Sequence, residues 1–181
     1  MRNNLRAILP ILALLCAGCS KSNLETIFSS QDEKIEAFIT KEQERVPGSV
    51  IIHDEGITRM IIKEGSGEPL DDGGTVSFYY AGYEFNGSIS NDKMFATNHE
   101  ETAKACKWEL SGEGRYDIIT TTLEEASFVE GLERGLRKVR GGEECYIVFS
   151  GRYGFGSKKY GTIPANSALL YHIWVESISN D

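Results

Sequence analysis

Cysteine and histidine are the side chains in this sequence best suited to redox, nucleophilic or metal chemistry, and their placement argues against all three. Cys16-Ala-Gly-Cys19 has C-x-x-C spacing but lies in an apolar N-terminal run with no strand before it, so it lacks the setting of a redox motif. His53, His99 and His172 are far apart and lack metal-ligand spacing. None of them has the context of a dedicated base beside a nucleophile. His172 alternates opposite Tyr171, which puts it on the outer face of a strand, and His99 lies in a charged loop with no chemistry expected of it. Gly65-Ser-Gly67 and Gly154-Phe-Gly156 imitate fragments of nucleotide loops without the full glycine spacing between a strand and a helix. No metal and no cofactor is expected. The other two cysteines, Cys106 and Cys145, sit in alternating apolar patterns and are expected to be free, buried thiols. Apolar and aromatic chemistry remains. Tyr80, for one, stands on the apolar face of its strand with a hydroxyl in need of a partner.

The chain that must position these groups has 181 residues, 40% of them hydrophobic and 25% charged, which suits one modest domain with a genuine core. Nineteen Lys and Arg against 27 Asp and Glu leave a formal charge of −8, so nucleic acid is excluded as the main partner. Arg134, Arg137, Lys138 and Arg140 make one local basic face, read here as solvated surface.

The N-terminus is an address rather than part of the fold. A cationic start, residues 1–6, precedes an apolar run over 7–17 that is broken only by Pro10. That run is shorter than the ~20 apolar residues a spanning helix needs, and it reads as a secretory signal peptide. Ala17-Gly18-Cys19 resembles the bacterial lipobox, with Cys16 standing where leucine is usual. Residues 1–18 are therefore expected to be removed and Cys19 to be lipidated. The lipid alone would then hold the protein in the cell envelope. Ser20 is not the aspartate that retains lipoproteins in the inner membrane, which points to the outer membrane, facing the periplasm.

Residues 19–48 read as a polar tether followed by an amphipathic helix. Ser30-Gln-Asp-Glu33 has capping-box form; Ile35, Phe38 and Ile39 follow at helical spacing; Pro47-Gly48 closes the segment. This helix either packs on its own domain, the simpler expectation, or self-associates with a second copy. Within 49–181 the period changes to two. Strands are expected at 57–63, 75–83, 107–110, 144–149 and 169–175, with a hairpin turn at Asn86-Gly87. The β-prone run 118–122 finds no place in this scheme. Phe128, Leu132 and Leu136 recur every fourth residue, joined by Val129 and Val139, and form one stripe on a short helix ended by Gly141-Gly142. The fold class is α+β: an antiparallel sheet wrapped around a short central helix, with a short helix before it.

The order of these segments resembles the FK506-binding-protein (FKBP) family of peptidyl-prolyl isomerases. Gly56-Ile-Thr-Arg-Met-Ile-Ile-Lys-Glu-Gly-Ser-Gly67 looks like the family's first strand and turn, and Thr75-Val-Ser-Phe-Tyr-Tyr-Ala-Gly82 like its Tyr-Thr-Gly strand. Met94-Phe-Ala-Thr-Asn98 stands where the family writes Phe-Asp-Ser. Phe128-Val-Glu-Gly-Leu-Glu-Arg-Gly135, the strand ending at Phe149, Tyr153-Gly-Phe-Gly156 and Ile163-Pro-Ala-Asn-Ser-Ala-Leu-Leu-Tyr-His-Ile173 follow in family order.

The resemblance implies a pocket for proline lined by Tyr80, Phe95, Phe128, Val129, Leu132, Phe155, Ile163 and Tyr171, with Cys106 on a wall that usually carries an aromatic. It implies that Val129 offers its backbone N–H to the substrate carbonyl and that Leu132 forms the floor where many relatives have Trp. It further implies substrates that are proline-containing peptides or exported chains. Two fittings differ. Ala96 occupies the position of the family's pocket aspartate, and Phe155 that of a ligand-binding tyrosine; Asp92 is a substitute for the aspartate that no pattern requires. Two functions follow as expectations, an isomerase weakened by these changes or an FKBP-fold module that binds peptides or a partner protein without useful turnover. The segments 88–93 and 112–126 are longer than compact members need and are expected to reshape the rim.

Overall fold

A computed structural model describes the backbone of residues 9–108 and 115–180, with side chains from residue 21 onward. A long helix, α1 (Leu9–Arg45), is followed by β1 (Val50–Asp54), β2 (Ile57–Lys63) and β3 (Thr75–Phe85). Then come β4 (Met94–Thr97), α2 (Glu100–Ala105), β5 (Ile119–Thr122), α3 (Glu130–Gly135), β6 (Glu144–Phe149) and β7 (Ala168–Ser179). All strand pairs are antiparallel, in the order β1-β2-β6-β7-β3-β4, and β5 shares with β4 the outer edge of β3. This is the expected α+β class.

Side-chain alternation divides the sheet's two faces. Val76 and Phe78 of β3, Cys145, Ile147 and Phe149 of β6, and Tyr171 and Ile173 of β7 join Leu132, Leu136 and Val139 in one buried cluster around α3. Met60, Ala81, Tyr83, Val148 and Leu170 point the other way and meet Ile35, Phe38 and Ile39 of α1. The N-terminal helix thus packs on its own sheet, with the Phe38 ring edge-on to Phe85 at 5.2 Å.

The expected tether does not exist as such: residues 20–29 are helix, and Ser30 is interior to α1 rather than its cap. The cause is tertiary. Phe28 is buried one turn before Gln31 and two before Ile35, under the guanidinium of Arg152 at 4.9 Å, and Glu25 pairs with the same arginine at 2.8 Å. Those contacts extend the stripe toward the N-terminus beyond the capping-box signal. Among the described residues no helix is long and apolar enough to cross a membrane. Residues 1–8 of the expected signal peptide lie outside the described residues.

The strand expected at 107–110 is also absent where it can be seen. Cys106 closes the short helix α2, Lys107 has a φ of 53°, and the Trp108 N–H bonds back to the Ala103 carbonyl at 2.8 Å. Positions 109 and 110 lie outside the described residues. Four residues of the unplaced run 118–122 form β5, Ile119–Thr122, which pairs with Thr75–Phe78. On the outer face, His99 and His172 both lie against Trp174, with ring centroids 3.9 and 3.7 Å away, and His172 bonds Glu144 at 2.8 Å. His172 thus lies on the outer face, as its alternation with Tyr171 implied, whereas burial lowers the His99 pKa, so His99 is not the plain loop residue the sequence implied.

Candidate functional site

The first turn of α3 begins at Val129, whose backbone is extended (φ −67°, ψ 146°) and whose N–H has no hydrogen-bond partner among the described residues. Leu132, three residues on, is buried and forms the floor of a cavity of about 320 Å³ with Phe78 and Tyr171. β3 supplies Tyr80 to one wall and β4 supplies Phe95 and Ala96. β5 gives Ile119, the approach to α3 gives Ser127 and Phe128, and the segment after β6 gives Phe155, Tyr160, Thr162 and Ile163.

The rings form a continuous frame. Phe95 stands edge-on to Tyr171 at 5.8 Å and to Phe155 at 6.2 Å, Phe128 edge-on to Phe78 at 5.9 Å, and Tyr80 lies 6.2 Å from Tyr171. Edge-to-face pairs of this kind fix ring orientation as well as burying area. Phe155 is itself covered by Tyr160, stacked at 4.5 Å and 7°.

Tyr80 is held by a device that strand periodicity does not reveal. β4 pairs with β3 no further than Ala81, and β5 no further than Phe78, so the strand edge at 79–80 is open. Asn98 fills the gap: its Oδ1 accepts the Tyr80 N–H at 2.7 Å and its Nδ2 donates to the Asp117 carbonyl at 2.9 Å. The Thr97 hydroxyl donates to the Tyr80 carbonyl at 2.7 Å. A buried asparagine thus stands in for the missing strand and joins the two walls carried by Phe95 and Ile119.

The site is electrically neutral. No charged side chain lines it among the described residues, Ala96 leaves no carboxylate on the wall, and burial pushes the Tyr80 and Tyr171 phenols above their ordinary pKa. Both phenols are protonated donors at every physiological pH. Asp92 does not replace the missing aspartate. It sits exposed on the turn Asn91–Lys93, accepts a hydrogen bond from Ser90, and stays outside the cavity.

Eight of the residues implied by the resemblance are brought together here: Tyr80, Phe95, Phe128, Val129, Leu132, Phe155, Ile163 and Tyr171. Cys106 is not among them. It closes α2 on the opposite side of the sheet and packs, half-buried, with the α1-facing cluster, so the wall position assigned to it is corrected. Cys145 is fully buried, and both thiols are free. Phe78, Ile119 and Tyr160 were missed. Phe78 was visible as an apolar position of its strand, and Ile119 lay in the unplaced β-prone run. Tyr160 gives no sequence signal; it faces the pocket because it and Ile163 exchange backbone bonds of 3.0 and 2.9 Å across a tight turn. Among the described residues no cluster of His, Cys, Asp or Glu has the makings of a metal site.

Comparison with known proteins agrees with this geometry. Residues 68–176 match the family model described as FKBP-type peptidyl-prolyl cis-trans isomerase. The chain is 27% identical over 118 residues to FK506-binding protein 1 of Aspergillus oryzae, covering 65% of this chain and 94% of that one. It is 22% identical over 127 residues to a peptidyl-prolyl cis-trans isomerase of Schizosaccharomyces pombe, covering 69% and 96%. In fold it is similar to FkpA from Escherichia coli, with a TM-score of 0.56 at 17% identity over 98% of this chain and 74% of that one. It is similar also to the FKBP domains of wheat FKBP73, with a TM-score of 0.55 at 22% identity over 74% and 50%.

Proposed function

We propose that this chain, which belongs to the FKBP-type peptidyl-prolyl cis-trans isomerase family, catalyses rotation about X-Pro bonds of exported chains while anchored to the cell envelope by lipid on Cys19. The observation that carries the chemistry is the ring-framed cavity of about 320 Å³, lined by no charged side chain among the described residues and with the Val129 N–H unpaired among them at its lip. Amide resonance sets a rotation barrier of ~18–20 kcal/mol. The planar amide is more charge-separated than the twisted one, so water favours the planar form and an apolar cavity takes that preference away. With proline against Leu132 and Tyr171, the Val129 N–H is at the rim to receive the carbonyl that precedes the ring. Preorganised donors of this kind need no reorganisation at the moment of twisting. A millionfold acceleration asks for about 8 kcal/mol. Address and anchor rest on the cationic start, the apolar run and Ala17-Gly18-Cys19.

A second reading has its own support: Ala96 and Phe155 thin the polar fittings, which suits a module that holds proline peptides without turnover. The two separate in one assay, cis-to-trans conversion of an X-Phe-Pro peptide by the full chain in mild detergent. Acceleration is expected, with kcat/KM reduced about tenfold or more by Phe155→Ala, which removes one buried face of the frame. Peptide binding without acceleration at micromolar chain would reject the enzyme in favour of the module. The anchor is tested in a bacterial host: Cys19→Ser is expected to move the protein out of the membrane fraction, and an unchanged distribution would refute lipidation there.

A further inference from the structure

We infer that Gln31 of α1 is a positioning residue for the outer wall of the proline pocket, so that the N-terminal helix belongs to the site although it precedes the family-matched residues 68–176. This rests on the isomerase function proposed above. The side-chain amide of Gln31 faces both ends of the segment 151–166. Its Oε1 accepts the Gly151 N–H at 2.8 Å, and its Nε2 donates to the Asn166 carbonyl at 2.8 Å. Between those two points lie Phe155, Tyr160 and Ile163, three of the pocket's wall residues. The segment is closed a second time from within, where the Asn166 N–H donates to the Gly156 carbonyl at 2.8 Å, with Asn166 in the left-handed region at φ 57°.

An amide that takes one bond and gives one fixes the distance between the two ends it joins. No other side chain makes that join among the described residues. The neighbouring contact, Arg152 with Glu25, is exposed and holds one end alone. Exposed ion pairs of that kind contribute little. A partly buried amide with both of its functions used contributes more, because unpairing it strands two backbone groups. Loss of the join lets Phe155 and Tyr160 swing from Phe95, now 6.2 Å from Phe155, while the floor at Leu132 and Tyr171 stays where the sheet and α3 put it. The wall therefore contributes to substrate binding and the floor to rotation.

The test compares wild type with Gln31→Leu, Gln31→Glu and Lys34→Ala, each as the full chain. Lys34 serves as control because its one side-chain bond among the described residues is to Asn86 on an exposed surface. Gln31→Leu is expected to raise KM about tenfold with kcat within about twofold, the pattern of lost uniform binding. Gln31→Glu keeps the acceptor for Gly151 but, as a carboxylate, repels the Asn166 carbonyl. Its protonated form can donate there, so its KM should fall toward wild type between pH 7 and pH 5 while wild type stays flat. A merely structural role would give no such profile. Wild-type KM in Gln31→Leu, or a Gln31→Glu profile that runs flat, would overturn the assignment. If the wild-type chain proves inactive, titration with the same peptide reads Kd in place of KM. The join then stands or falls by the same fold-changes while the isomerase reading fails separately.

Discussion

Gly131→Ala is expected to cost about 1–3 kcal/mol of stability and about a hundredfold in isomerase activity. A Cβ at that position would lie 2.4 Å from the ring of Phe149, which is fully buried and stacked on Tyr171 at 6.1 Å. The ring cannot withdraw, so α3 must lift. Gly135, one turn later, meets the sheet in the same way: a Cβ there would be 2.2 Å from Ile147. Two glycines four apart lower the intrinsic helix propensity of a six-residue helix, a cost that lets its backbone lie against β6. Lifting α3 moves the Val129 N–H and the Leu132 side chain together, which is why activity should fall further than stability. The double variant Gly131→Ala/Phe149→Leu should recover part of both losses. Thermal unfolding and the peptide assay read the two effects. Activity that survives Gly131→Ala unchanged would detach the pocket floor from α3 and count against the proposed chemistry.

The second large effect lies at the other end of the same helix. Arg59 is almost wholly buried in β2 and donates to the carbonyls of Gly135 at 2.9 Å and Arg137 at 2.6 Å, so one guanidinium caps the last turn of α3. Its Nε faces Oε1 of the equally buried Glu143 at 3.5 Å, and neither atom has a hydrogen-bond partner among the described residues. Arg59→Met at pH 7 is expected to cost about 3–5 kcal/mol, since it uncaps the helix and strands a buried carboxylate. Arg59→Met/Glu143→Gln should regain much of that loss.

The pH dependence carries the sign. Burial already raises the pKa of Glu143, with Arg59 as the chief opposing influence, so removing the arginine raises it further. A carboxyl whose folded pKa lies above its unfolded value destabilises at neutral pH and ceases to do so as pH falls through the unfolded value. The deficit of Arg59→Met should therefore shrink between pH 7 and pH 4, and that of the double variant should not. Urea denaturation at both pH values decides it. A single-variant deficit under about 1 kcal/mol at pH 7 would place the pair among exposed-type ion pairs and end this account of α3.

What the sequence alone determined follows from local sterics. Strand alternation set β2 at Ile57–Lys63 and β6 at Glu144–Phe149 to the residue, because neighbouring side chains on a strand must point apart whatever lies beyond. The helical stripe at Ile35, Phe38 and Ile39 was visible for the same kind of reason, and ordered motifs brought Tyr80, Phe95, Val129, Leu132 and Tyr171 into one group. Other features needed distant partners. The resemblance puts Cys106 on a pocket wall, yet α2 ends behind the sheet, and nothing within six residues of helix says on which side of β3 it will lie. Ile118–Thr122 reads as a strand with no address, because its place on the edge of β3 is vacant only where β4 stops. Tyr160 looks like an ordinary loop residue between lysines and a glycine; a turn closed against Ile163, within a segment held by Gln31 more than a hundred positions earlier, makes it a wall. Period is a property of adjacent residues, whereas the side of a sheet on which a loop lands depends on contacts the chain forms only after it has folded.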